Sequence, residues 1–191
     1  MNDDETLRRL IDLVHHRYWG KHRGIVIDND DPEHLGRVQV QVPAVLGEVA
    51  RWALPCVPYA GDKVGFFCPP EPKSHVWVEF EGGDPTRPIW VGCFWAKDQL
   101  PDLAIGPAAK IWRTPTMHLR LDEDASVAEL GSDQKGAVQV NDQVVVTAGE
   151  DATVTSLTVS ANTISAETGA GGTLTLDGAA LSVNNGSLEV S

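Results

Sequence analysis

The sequence predicts a mainly β protein: a short N-terminal helix, a small closed barrel, and a long repetitive β tail. Three observations carry this. Apolar and polar residues alternate in short runs between Lys21 and Trp95, the period of half-buried strands. All twelve aromatic residues lie between Tyr18 and Trp112, so the 79 residues from Arg113 to Ser191 contain none. Near the C-terminus an apolar-x-apolar triplet recurs at seven-residue steps. Large rings normally anchor a domain core. A tail without them is either disordered or built on a thin, repetitive core.

Composition narrows the function classes. With 42% hydrophobic and 22% charged residues, the chain has a globular mix rather than a disordered one. Fifteen Lys and Arg against 27 Asp and Glu give a formal charge of −12, which repels phosphate backbones and argues against a nucleic-acid partner. The segment from Arg113 onward holds −8 of that charge. No apolar run reaches the eighteen residues of a membrane-spanning helix. Met1-Asn2-Asp3-Asp4-Glu5 is acidic where a secretory leader is basic and then apolar, so synthesis in the cytoplasm without a signal peptide is expected. Cys56, Cys68 and Cys93 are too few and odd in number for a disulfide framework.

The elements follow in order. Leu7, Leu10, Ile11, Val14 and Tyr18 form one stripe of a 3.6-residue period within an N-terminal helical segment, residues 1–20. Asp3, Asp4 and Glu5 suit its positive end and Gly20 its stop. From 21 to 97 the pattern is β: strands at Gly24–Ile27, Arg37–Val42, Val76–Phe80 and Pro88–Gly92, with an Asp28–Pro32 turn and a proline-punctuated stretch from Ala53 to Pro72. Four or five short strands in this length suggest an OB-like barrel. Pro101 and Pro107 mark a linker, residues 98–112, and a connecting hairpin occupies 113–135. Its strands are Met117–Leu121 and Ser126–Leu130, flanking Asp122-Glu123-Asp124-Ala125. That tip lacks the glycine and glutamate spacing of a calcium loop and is taken as a solvated turn.

The tail, 136–191, carries the repeat. Leu174, Leu176, Leu181, Val183, Leu188 and Val190 pair off as i, i+2 in seven-residue steps, with Leu157, Val159 and Ile164 continuing the pattern upstream. A coiled coil needs i, i+3 spacing and good helix formers, whereas the gaps here hold Gly, Asn, Ser and Thr. Each unit is therefore a short strand and a tight turn. One copy of so thin a structure cannot bury its apolar side. Three copies winding about one axis turn each triplet into an apolar ring and pair strand edges between subunits. The expectation is a triple-stranded, intertwined β-helix, a trimeric needle whose core is those nine residues.

Several of these segments also carry a family resemblance. Lys21-His22-Arg23-Gly24-Ile25-Val26, Leu35-Gly36-Arg37-Val38-Gln39-Val40, Trp52 to Pro58, Val76 to Pro85 and Arg87 to Gly92 resemble, in order, the OB-fold of contractile-system spike proteins. These are the phage baseplate spike and VgrG-like proteins, and the tail is similar to their needle. The resemblance implies a homotrimer at the centre of a baseplate, driven through the target envelope on sheath contraction and touching a membrane only then. It implies residence in an assembled particle or phage tail, a hub at the inner-tube head and a PAAR-type tip protein on the needle end. Because only about twenty residues precede the barrel, the hub is expected to be a separate chain, docked through Leu7, Leu10, Ile11, Val14 and Tyr18. The tip protein is expected on Leu188, Glu189, Val190 and Ser191. The lysozyme domain and the His-x-His iron site of some relatives have no counterpart, since the linker is short and no histidine follows His118.

No enzyme, cofactor or metal is expected. Glu79 and Glu81 share a face of one extended strand, about 7 Å apart, a separation that suits glycoside hydrolysis. A polar outer face accounts for them more simply. Cys56, Cys68, Cys93 and His75 have the chemistry of a zinc site without its spacing and are taken as buried free thiols and a histidine. Adjacent helical residues diverge too far for His15 and His16 to share a metal. Trp77, Trp90 and Trp95 are assigned to packing. If they stack on sugars instead, the chain is a glycan-binding OB-fold module on a trimeric β stalk, an adhesin-like alternative that the missing leader disfavours.

Overall fold

A computed structural model describes residues 5–8, 11, 14, 16–102, 106–133, 136–149, 154–184 and 187–190, the last two of these by backbone alone. The chain divides into two compact units, Met1–Leu100 and Pro101–Ser191. The first is built on a barrel and the second on one sheet.

Five strands close the barrel: β1 (His22–Asp28), β2 (Val38–Gln41), β3 (Ala50–Pro55), β6 (His75–Phe80) and β7 (Pro88–Phe94), in the order β1-β2-β3-β7-β6 with β6 returning to β1. All ladders are antiparallel except β3 with β7. The two-residue strands β4 (Ala60–Gly61) and β5 (Val64–Gly65) form a separate hairpin. Alternation places Val38 and Val40 of β2 inside, and Val76, Val78 and Phe80 of β6 likewise. Together with Val26, Val42, Ala53 and Trp90 they make the core. Small β-branched side chains fit so narrow an interior. Gly24 of β1 faces the same interior, where a Cβ would stand 3.0 Å from Val78 Cγ2 and 3.2 Å from the Gln41 carbonyl oxygen. A single helical turn, α1 (Pro43–Leu46), packs Val45 and Leu46 against the core.

Two differences from the sequence expectation stand out here. Strand β3 falls where no alternation was visible, because only Ala53 of Ala50-Arg51-Trp52-Ala53-Leu54-Pro55 is buried and an alanine makes a weak apolar mark. Glu81 is not in a strand. The ladder ends at Phe80 and a 3₁₀ turn, Glu81–Gly83, takes over with Gly82 at φ 57°.

The second unit is a ten-stranded antiparallel meander: β8 (Ala109–Arg113), β9 (Met117–Asp122), β10 (Val127–Ser132), β11 (Gly136–Val140), β12 (Val144–Ala148), β13 (Thr155–Val159), β14 (Thr163–Glu167), β15 (Thr173–Asp177), β16 (Ala180–Val183) and β17 (Leu188–Val190). Every strand pairs with its sequence neighbours. The sheet begins inside the segment 98–112 expected to be a linker, because Lys110 and Trp112 pair across to Leu121 and Leu119. Apart from the outer edges of β8 and β17, the ladders are thus completed within one chain, where pairing between subunits was expected. The seven-residue repeat is the strand-plus-turn unit of this meander: Leu174 and Leu176 stand opposite Val183 and Leu181, which stand opposite Leu188 and Val190.

Burial concentrates in the barrel, so stability should be most sensitive there. Val78→Ala removes two buried methyl groups from a site with no solvent exposure and is expected to cost roughly 2 kcal/mol. Urea unfolding followed by tryptophan fluorescence measures it, and an unshifted midpoint would contradict this account of the core.

Candidate functional site

The two carboxylates first considered for chemistry are each already partnered. Glu79 accepts a hydrogen bond from Lys21 Nζ at 2.7 Å, and Glu81 pairs with Arg87 at 2.9 Å. Each carboxylate therefore has a cation of its own, and the two do not share a strand face. Cys56 and Cys93 are exposed and Cys68 is half-buried, which corrects the expectation of buried thiols. Desolvation still pushes the Cys93 thiol up from its ordinary value, with neighbouring Cys68 adding to it. Among the described residues no group of three or more His, Cys, Asp or Glu could hold a metal. The acidic tip is a hairpin turn, in which Ala125 N–H donates to Asp122 Oδ1 at 2.9 Å while Arg120 pairs with Asp122 and Lys110 with Glu123. Trp90 is 7% exposed in the core, and Trp77 lies against Phe94 (centroids 4.6 Å apart) with Arg23 over its ring. Trp95 alone of the three presents most of its surface. His15 lies outside the described residues.

What the sheet does assemble is a continuous apolar face. One row of cross-strand partners runs Trp112, Leu119, Leu130, Val138, Val146, Leu157, Ala166, Leu174, Val183, Leu188. The second begins at Leu121 and Ala128, continues through Val140, Val144, Val159, Ile164, Leu176 and Leu181, and ends at the register position of Val190. Period-2 geometry puts both rows on one side. All nine residues expected to form the needle core lie on them. The sequence reading missed the upstream members, because Val138, Val140, Val144 and Val146 sit outside the seven-residue repeat. From Leu119 to Leu176 the large side chains of these rows remain 38–52% exposed.

The opposite face carries a polar network across β8 to β11. His118, 8% exposed, places Nε2 2.6 Å from Glu129 Oε1. Gln139 donates to the other Glu129 oxygen, and Arg113 pairs with Asp133 at 2.7 Å. Gly131 makes the room, since a Cβ there would stand 2.7 Å from the His118 ring. The His118 hydrogen bond, against an opposing desolvation, holds the Glu129 carboxyl below its ordinary range.

In the barrel the loop after β1 is organised by one carboxylate. Asp31 accepts from the backbone N–H groups of Glu33, Leu35 and Arg37 and from the Arg37 guanidinium at 2.7 and 3.0 Å. The guanidinium holds the carboxyl far below the usual carboxylate range, and Arg37 also lies over Trp52. A barrel of five strands in this order, followed by a long β tail, sets a narrow field of comparison. Residues 22–95 match the family described as the Type VI secretion system/phage-baseplate injector OB domain.

The barrel is similar to an injector OB domain.

No curated protein matches the chain. The match agrees with a VgrG-like spike and supports a baseplate or type VI spike-related role. Its bounds coincide closely with the span from β1 to β7, and the meander lies beyond them. On the N-terminal side of the OB domain, Tyr18 packs against Phe80 and its N–H bonds the Gly83 carbonyl at 2.9 Å. Tyr18, expected to face a hub, is thus an anchor on the barrel. Leu7, Ile11 and Val14 are 56, 47 and 71% exposed, while Leu10 lies outside the described residues. At the far end Leu188 is 59% exposed. Ser191 and the side chains of Glu189 and Val190 lie outside the described residues.

The OB domain should show the Asp31 linkage. A carboxyl whose folded pKa is depressed binds more protons unfolded than folded, so its stabilisation is present above pH ~4 and fades as pH falls. Asp31→Asn is expected to lower the melting temperature at pH 7 and to flatten its decline between pH 6 and 3. Parallel curves for the two proteins would show that Asp31 contributes no such linkage.

Proposed function

We propose that the chain is a non-enzymatic, homotrimeric spike subunit at the centre of a contractile injection system or phage baseplate. One observation carries the reading: one unbroken apolar row crosses the whole sheet and a second runs beside it from β9 to β17, and this sheet follows a barrel that matches the injector OB domain. A single β layer with a bare apolar face lacks the second layer that a stable domain needs. Three such sheets, each forming one wall with its rows turned inward, supply that layer and leave the polar network outside. Ten strands at 4.8 Å spacing make a wall about 43 Å tall, and five residues make it roughly 17 Å wide. Long in-chain ladders favour walls over full intertwining, since each chain already completes its own hydrogen bonds.

Stiffness under axial load is what a piercing device requires. In this arrangement the three walls share one apolar core, so none can separate without exposing both rows. A hub takes the exposed Leu7, Ile11 and Val14 side chains. A PAAR-type tip protein covers the end at β17, the last strand of the sheet. The assembled particle is the site of action, and contact with the target membrane is transient. No helix among the described residues is long and apolar enough to cross a membrane.

Light scattering behind size exclusion tests the trimer. A mass of about 62 kDa, three times the chain's 20.6 kDa, is expected, with a trimer band on a denaturing gel that disappears on boiling. Leu157→Asp and Leu174→Asp each place a charge in an apolar row and are expected to give monomers whose barrel still melts cooperatively. A wild-type monomer, or trimeric aspartate variants, would overturn the proposal.

A further inference from the structure

The OB domain carries a groove that its own fold leaves open, between the loop after β1, the end of β3 and the β4–β5 hairpin, with a volume of about 500 Å³. Its walls are apolar. Leu35, Tyr59, Val64 and Phe67 line it while 53, 59, 53 and 77% exposed, and buried Trp90 contributes to its surface. Contiguous exposed aromatic and aliphatic side chains of this kind mark interaction sites. The charge is as informative as the shape. Lys63 and His34 line the groove and no carboxylate does, in a chain of net charge −12. Neither side chain forms an ion pair among the described residues. The groove also offers backbone: β4 and β5 pair only with each other, so each leaves an outer edge that an extended segment can join. One wall is held in place beforehand, because Asp31 accepts the Leu35 N–H at 2.7 Å within the Arg37-locked loop.

We propose that this groove binds an extended segment of a partner protein in which acidic side chains alternate with apolar ones. The apolar side chains fill the aromatic walls, and the carboxylates meet Lys63 and His34. The proposal stands apart from the trimer, since it uses only the first unit.

The test uses the full chain and two synthetic probes, acetyl-Val-Asp-Phe-Glu-Val-amide and acetyl-Val-Lys-Phe-Lys-Val-amide. The Trp90 indole N–H resonance, assigned by its loss in Trp90→Phe, reports occupancy. The acidic peptide is expected to shift it saturably and the basic peptide to leave it in place. Lys63→Glu is expected to weaken binding about fivefold or more, the size of one partly exposed ion pair, and Phe67→Ser to weaken it as well. Both side chains are exposed, so unchanged melting curves keep these variants interpretable. Absence of a shift up to about 2 mM acidic peptide overturns the proposal, as do equal binding of both peptides and undiminished binding by Lys63→Glu. A drop in solution mass on Phe67→Ser, without peptide binding by the parent chain, identifies a second copy as the occupant and overturns it too.

Discussion

An apolar face with no cover is the constraint on which the C-terminal unit turns. Apolar residues at alternate positions of successive strands, paired without a register slip, must all emerge on one side. Because the sheet is a meander, nearly every ladder hydrogen bond is completed by a sequence neighbour, and only β8 and β17 are edge strands. Backbone and side chain thus come apart: the first is satisfied within the chain and the second is not. Leu157, Ile164 and Leu174 remain 43–48% exposed. Burying such rows is favourable in proportion to the apolar area removed from water, which makes association of this face with another surface the natural completion of the fold.

The OB domain solves the same problem in the opposite way. Closing five strands into a ring removes the sheet edges and turns the apolar side inward. Valines at 38, 40, 76 and 78 have no solvent exposure. Its loops can then be shaped by polar contacts. Asp31 is the plainest case, since a carboxylate with five donors around it fixes the chain from Glu33 to Arg37 in one conformation. Arg17 and Tyr18 likewise bind the carbonyls of Gly82 and Gly83, tying the segment before β1 to the 3₁₀ turn. The polar network around His118 does comparable work in the sheet, linking β8 to β11 on the face away from the apolar rows.

Several elements were legible because a local period encoded them. Val38-Gln39-Val40 and Val76-Trp77-Val78 announce strands of a half-buried sheet. The Leu-x-Val triplets announce strand and turn at once, and the nine residues expected to form a needle core all fall on the two rows. Strand β3 was not legible, because its one buried residue is an alanine. Strands β11 and β12 were not either, since their valines lie outside the repeat. The pairing of Glu79 with Lys21, 58 positions away, depends on β1 and β6 lying side by side and has no local mark.

The sequence by itself determined the two regimes, the β character of both, the absence of aromatic residues from the second, and which residues of the repeat share a face. Those are consequences of side-chain period and size, which act over a few residues. Tertiary structure alone decided that the meander's strands pair within one chain, that Glu81 leaves the strand, that the thiols are not buried, and that Lys63 and His34 meet an aromatic groove. Each depends on which distant strands become neighbours, and closure of the barrel and the order of the meander fix that at long range.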